Sequence, residues 1–544
     1  MNFSLTCTAL LSLACLVTPA AHAQNEKDDA TIYEIQSRWI QERHLYLDGG
    51  RVQSGPAEGE QARWVLEPGD SGYHIRNVGT DDYLHLEADS DVLATTAERP
   101  EGDRGQWLVE SVDAYVTIRN TATGKYINIE NQDGPVDSGL DNRPDADNWW
   151  SGLWKLVHVA GPKPERIFQA GEVIVTSPAY GSKIDGDTTL NIRAPGLERA
   201  VVKSRLPGGR FGEDATIGEI DLDDAGEGVL VFPADKYPHG PIVIRVHGTG
   251  PAGPNNYYLM VYNTGGVSWN EGLPDNPPPQ AEGMQLVFAD DFTDEDLSIS
   301  SDGQGTTYTS HKPGGGDFSG IPFSDHENPE TTPFAQMDTY LRIRADQSKN
   351  TTGLISALRM DGTGITANAP AYFECRFVAQ SAPGTWPAFW VMTQDIHKGL
   401  DVPVDELDII EAYGGEGPGN PSQTGYWIHA HYWNQGPDGE KDTTQDRFAG
   451  KIPMTEIEGT GGASWFETFH TYGVLVGEEH TVYYLDDIEV ARHETAKLSG
   501  DRPLFFLINF AIGGISGWKI DLAQYDGVVD MYVDYVRVYE GGTP

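Results

Sequence analysis

Three acidic side chains, Glu406, Asp408 and Glu411, fall within six residues of an otherwise apolar run, VDELDIIEAYGG. In a flat strand, alternation sends Glu406 and Asp408 to one face and Glu411, five residues from Glu406, to the other. A one-residue β-bulge would repair that parity and bring the third carboxylate back beside its partners. Crowded carboxylates raise one another's pKa, which lets one group stay protonated near neutral pH while another stays ionised. Cleavage of a glycosidic bond uses that division of labour. One carboxylate attacks the anomeric carbon, the other protonates the leaving oxygen and later activates water, and a pair about 5 Å apart gives retention of configuration. The competing reading is a solvated acidic stripe on a strand edge.

Aromatic and polar residues stand where such a cleft needs them. GTWPAFWVM, with Trp386 and Trp390, precedes the acids by about twenty residues, and IHAHYWNQG, with His429, His431, Trp433 and Asn434, follows one strand later. Aromatic faces suit the apolar C–H surface of a pyranose, so Trp386 and Trp390 are candidates for the cleft wall, with core packing as the alternative. The His-x-His spacing invites a metal reading, but no third ligand stands in a comparable cluster.

These residues sit in a stretch, 284–541, of strand-like runs such as YFECRFVA, LFFLINFAI and MYVDYVRVYE, with little helical periodicity. A curved antiparallel sandwich or jelly roll of this size gives an elongated cleft able to take a polymer. Cys375, in the alternating AYFECRFVAQ, is expected as a core thiol. Upstream, 266–283 is Pro-rich and reads as a linker, and 167–265 alternates in short runs that suggest an immunoglobulin-like β-sandwich acting as a spacer. GPKPERI, from Gly161, marks the break before it.

Residues 24–160 contain an internal repeat. YHIRNVGTDDYLHLEA echoes YVTIRNTATGKYINIEN, and each of three copies closes on a tryptophan, Trp64, Trp107 and Trp154, spaced by about 43 and 47 residues. The pattern resembles a β-trefoil of the ricin-type lectin class, whose glutamine–tryptophan signature is approached at Gln106-Trp107. The tryptophans are expected to pack the centre. Asp48, Glu87 and Glu130 follow the matching strands and are the candidates for shallow sugar pockets. The expected architecture is thus all-β: a trefoil, an immunoglobulin-like sandwich and a concanavalin-like sandwich.

GTWPAFWVM and ELDIIE, together with ADDF, FHTYGVLV, LINFAIGG and MYVDYVRVYE in that order, resemble glycoside hydrolase family 16 across the last domain. The ExDxxE spacing resembles the bulged branch that includes laminarinases and marine galactan hydrolases. The resemblance implies Glu406 as nucleophile, Glu411 as general acid/base and Asp408 as the residue holding the nucleophile's charge between steps. It also implies a cleft histidine near the acid/base, for which His431 is the better placed, with Trp433 and Asn434 or Gln435 at neighbouring subsites. No cofactor is needed for the chemistry. Members often carry a structural Ca²⁺, and the matching positions here are Asp291 and Asp534, although Asp291 is shorter than the usual glutamate. Val476, where many relatives have tryptophan, leaves the substrate open between a β-1,3-containing glucan and a red-algal galactan.

The totals narrow the partners. Lys+Arg number 37 against Asp+Glu 82, a formal charge of −45 spread along 544 residues. That field repels phosphate backbones and anionic lipid, so neither nucleic acid nor a membrane surface is an expected partner, and the acidic surface suits a marine or halophilic source. Residues 1–23 read as a signal peptide ending in Ala21-His22-Ala23, which implies a secreted or periplasmic protein, with a lipoprotein signal around Cys15 as the rival. The expected function is a secreted retaining endo-β-glycosidase acting on polysaccharide. The alternative is a non-catalytic polysaccharide-binding protein.

Overall fold

The computed structural model describes the chain except residues 1–29, 41–42, 56–58, 88–89, 91, 113–114, 130–135, 145–148, 161–170, 294–296, 416–423, 436–447, 515–519 and 543–544. The expected export signal, Glu130 and the expected break at Gly161 therefore lie outside the described residues. The described chain is nearly all β and divides into two compact units, Met1–Ile167 and Phe168–Pro544.

Twelve strands form the described part of the first unit, and the repeat in the sequence is a repeat in structure. Trp64, Trp107 and Trp154 are each fully buried. A buried indole N–H needs an acceptor, and each finds one at an equivalent place: Leu45 O at 2.8 Å, Leu84 O at 3.2 Å and Ile127 O at 3.0 Å. The two IRN motifs also repeat a bond pattern. Buried Asn77 donates to the carbonyls of Gln61 and Arg63, and buried Asn120 donates to those of Arg104 and Gln106. The three tryptophans are thus core, as their spacing predicts. Asp48 and Glu87 are exposed on the surface.

The second unit opens with two sheets. One has three strands (Ile174–Ser177, Asp187–Arg193, Glu227–Pro233) and the other five, including Arg199–Leu206 and Gly240–Thr249. In Arg199–Leu206 the buried residues alternate as Ala200, Val202 and Ser204, so one face of the strand meets Leu190, Ile192 and Phe232 in a shared core.

Two eight-stranded sheets follow. The first is built around the thirteen-residue strand Val528–Glu540, which pairs with Ala371–Ala379 and Tyr340–Asp346. The second places Thr385–Thr393 between Leu504–Ile512 and Val404–Ala412, and Tyr426–Trp433 lies beyond. Phe389, Val391 and Phe506 of the second sheet join Phe373, Cys375 and Val536 of the first in one apolar core. Cys375 is a buried thiol, as its alternating context predicts.

The Pro-rich stretch 266–283 differs from expectation. It is pinned to the first of these sheets and is no free spacer. Gly272 N donates to Asp534 at 2.9 Å, and the carbonyls of Asn270 and Asn276 accept from Arg376 and Arg537 at 2.7 and 2.9 Å. The reason is charge inside the sheet. Arg376 pairs with Asp534 and Arg537 with Glu374, where both carboxylates have no exposed surface, and buried ions hold only when their remaining donors and acceptors are met.

Candidate active site

The acid strand, Val404–Ala412, carries the bulge that its spacing calls for. Against the strand Tyr426–Trp433, Asp408 sits opposite His429 and Glu411 opposite Trp427, so three steps on one side meet two on the other. The same irregularity appears on the other side, where Ala388 faces Glu411 and Trp390 faces Asp408. Parity is thereby restored. Glu406, Asp408 and Glu411 all line one cleft of about 430 Å³, walled by Trp386, Ala388, Trp390 and Met392 from alternate positions of Thr385–Thr393.

Each acid has its own surroundings. Glu406 accepts from Trp433 Nε1 at 3.0 Å. Glu411 accepts from Trp386 Nε1 at 3.1 Å and from the Tyr413 hydroxyl at 3.2 Å, and it shares a short hydrogen bond with His429 Nδ1. Asp408 lies between them, 5 % exposed, with His431 Nε2 at 3.5 Å. Burial first, and then the charges of Glu411 and Glu406, push its carboxyl well above the usual aspartate range.

A raised folded-state pKa stabilises the fold only at low pH; its cost accumulates as pH climbs from the ordinary carboxylate range to the raised value, and is complete above it. Asp408→Asn should therefore raise the melting temperature by roughly 2–4 °C at pH 8 and leave it nearly unchanged at pH 4. Thermal melts across that range check this, and a gain independent of pH would show that repulsion is not the cause.

Tyr426–Trp433 turns four aromatic rings to the acids. Trp427, His429, His431 and Trp433 occur at every second residue, and their rings stack in series at 5.7, 5.4 and 5.2 Å. His431 lines the cleft, but the histidine bonded to Glu411 is His429. The extra residue in the acid strand shifts the register, so Glu411 comes beside His429. The same register supplies a third potential ligand that the sequence does not show: Asp408, His429 and His431 present atoms within 4.8 Å of one another.

Other expected contacts are placed differently. Asn434, at φ +56°, lines the cleft but donates its amide to the carbonyls of Leu400 and Val402 at 2.7 and 2.9 Å. Gln435 likewise donates to Val404 O and Asp405 Oδ1. Gln435 thus holds the loop on the acid strand and Asn434 holds it on the segment leading into that strand, so their N–H donors are committed to the protein. Trp390 lines the cleft and donates to Asn509 Oδ1 at 2.8 Å, and Asn509 donates to Trp386 O, which ties the two wall strands together.

Asp291 and Asp534 do not form a shared oxygen cage. Asp291 accepts from its neighbour Thr293, while Asp534 is buried against the Arg376 guanidinium and the Gly272 N–H. A carboxylate already neutralised by arginine is a poor ligand for a hard dication, and this pair does not fit Ca²⁺.

Sequence reasoning misses Lys312. It lies on a loop with Gly314, Gly315 and Gly316, all at positive φ, and enters the cleft with 9 % of its surface exposed. Burial lowers its ammonium pKa, opposed by the charges of Glu406 and Asp317. No periodicity marks the position, because a loop brings it to the acids across more than ninety residues of chain.

Comparison with known proteins gives two family matches. Residues 335–521, which hold the acid strand, the histidines and Asn509, match the family described as glycosyl hydrolases family 16. Residues 60–140 match the ricin-type beta-trefoil lectin domain-like family. Among curated proteins, an endo-1,3-1,4-beta-glycanase, EglC of Rhizobium meliloti (strain 1021), is 33% identical over 173 residues, 32% of this chain and 31% of the relative. A glucan endo-1,3-beta-glucosidase A1 of Niallia circulans is 24% identical over 287 residues, 48% of this chain and 39% of the relative. The matched regions thus span only 31% and 39% of the length of these two relatives. Among solved structures, a laminarinase catalytic domain from Thermotoga petrophila RKU-1 aligns at 20% identity and TM-score 0.36, over 48% of this chain and 99% of that one.

Proposed function

We propose that the chain is a retaining endo-β-glycosidase that hydrolyses a β-glucan containing 1,3 linkages. The observation that carries this reading is the bulge between Asp408 and Glu411, which turns three carboxyl groups from one strand into one aromatic-walled cleft. The printed activities of the matched relatives, endo-1,3-1,4-beta-glycanase and glucan endo-1,3-beta-glucosidase, support the substrate class.

In this reading Glu406 attacks the anomeric carbon, oriented by the Trp433 N–H. Glu411 protonates the departing oxygen and then takes a proton from water, with His429, Tyr413 and Trp386 holding its orientation. Asp408, whose carboxyl is pushed up by burial and by the charges of Glu411 and Glu406, favours its protonated form and in it can donate a hydrogen bond to the Glu406 carboxylate. It can give up that role when the glycosyl bond neutralises Glu406 and the repulsion falls. Trp386 and Trp390 supply apolar wall for the sugar rings.

Retaining glycosidases hold their two carboxyl groups about 5–5.5 Å apart, while inverting ones leave room for a water between opposed acids. Two acids from a single strand suit the first course. NMR of the first product formed from laminarin should show the β-anomer ahead of mutarotation, and the α-anomer would overturn the assignment. Reducing-end release from laminarin, lichenan, agarose and carrageenan tests the substrate: release confined to the galactans would overturn the glucan reading, and binding without release from folded protein would favour a lectin.

A further inference from the structure

Among the described residues, the most exposed tryptophans are Trp39, Trp149 and Trp150, at 37%, 51% and 46%, and all three belong to the first unit. None lies within the residues that match the lectin family. The three-residue turns before the core tryptophans explain why the last one is unusual. The first two turns, Glu60–Ala62 and Asp103–Gly105, are each preceded by a glycine, Gly59 at φ +86° and Gly102 at φ +81°. The third, Trp150–Gly152, is preceded by Trp149 at φ +61°, in the left-handed region. A bulky side chain there is a backbone outlier, and such strain persists where the surrounding structure enforces it and function uses it.

The surroundings hold this turn in place. Arg38 N donates to Leu153 O at 3.0 Å, and the Arg38 guanidinium lies over the rings of Trp150 and Tyr115 at 4.6 and 4.9 Å. The stack orders Trp150 and brings the segment bearing Trp39 to the same turn. Flat aromatic faces held rigidly towards solvent match the C–H face of a pyranose, and ordering them beforehand lowers the entropic cost of docking. An anionic polymer is disfavoured by the chain's charge of −45.

We propose that Trp149 and Trp150, with Arg38 stacked on Trp150 and Trp39 next to it in sequence, form a platform that docks the protein on a neutral β-glucan chain. The choice of glucan rests on the proposed hydrolase function; the platform itself rests on the turn.

The test uses the full chain and its variants Trp149→Gly and Trp150→Ala. Retention on particulate β-1,3-glucan is measured in the cold, beside hydrolysis of soluble laminari-oligosaccharides and the melting temperature. Each variant should lose about tenfold in retention with soluble hydrolysis unchanged. Trp149→Gly should melt no lower than the parent, since glycine accepts the left-handed backbone; a purely structural tryptophan would lower it. Retention unchanged in both variants would overturn the platform, as would a parent protein that cleaves the soluble glucan but does not bind the particles. A dimer that Trp150→Ala dissociates, without an effect on retention, would make the patch a self-association surface instead. Retention lost in both variants of a protein that hydrolyses nothing would keep the platform and remove the hydrolase reading.

Discussion

Glu406→Gln will stop turnover of β-glucan, with a loss on the order of 10⁴-fold or more, while the chain keeps its fold and its hold on polymer. Glutamine has the shape of glutamate and its amide oxygen can still accept from Trp433 Nε1, so that contact is kept. What disappears is the negative charge that must attack the anomeric carbon. The substitution also removes one of the two charges that press on Asp408, so the melting temperature should not fall. Reducing-end release, a thermal melt and affinity electrophoresis in a glucan gel read the three outcomes separately. Activity like that of the wild type would take Glu406 out of the nucleophile's role.

Glu411→Gln should cost about 10²–10⁴-fold on polysaccharide, and the loss should depend on the leaving group. Glu411 is the acid with three hydrogen-bond partners around it, Trp386, Tyr413 and His429, and those groups hold it where a leaving oxygen can be protonated. A dinitrophenyl β-glycoside leaves without that proton, so the first step should recover, and only the second, in which Glu411 activates water, should stay slow. Added azide needs no base to attack and should restore turnover, giving a β-glycosyl azide. An equal loss on both substrates with no response to azide would show that Glu411 is not the acid/base. The pair of variants separates the roles: azide responds to the missing base in one and has no glycosyl-enzyme to attack in the other.

Several features of the site and fold follow from residue type and local spacing. The parity conflict in Glu406-x-Asp408-x-x-Glu411 requires either a bulge or a scattered trio, and the strand has the bulge. The repeat of Trp64, Trp107 and Trp154 places three indoles in equivalent buried settings, because a pattern that recurs along the chain recurs in its local bonds. Alternation of two in TWPAFWVM puts Trp386 and Trp390 on one face, and both reach the cleft.

What tertiary structure decided are the pairings between distant segments. Asp534 is committed to Arg376, 158 residues away, and a sequence match to a cation ligand carries no sign of that guanidinium. His429 rather than His431 meets Glu411, because the bulge shifts one strand against its neighbour by a residue, a change that neither strand records alone. Asn434 has its amide taken by Leu400 and Val402, and Lys312 arrives from a glycine loop. Local patterns fix which face a side chain turns to and how far it stands from its neighbours along the chain. Register, ion pairing and desolvation belong to contacts across the sheets, and only the folded chain brings those partners within bonding distance.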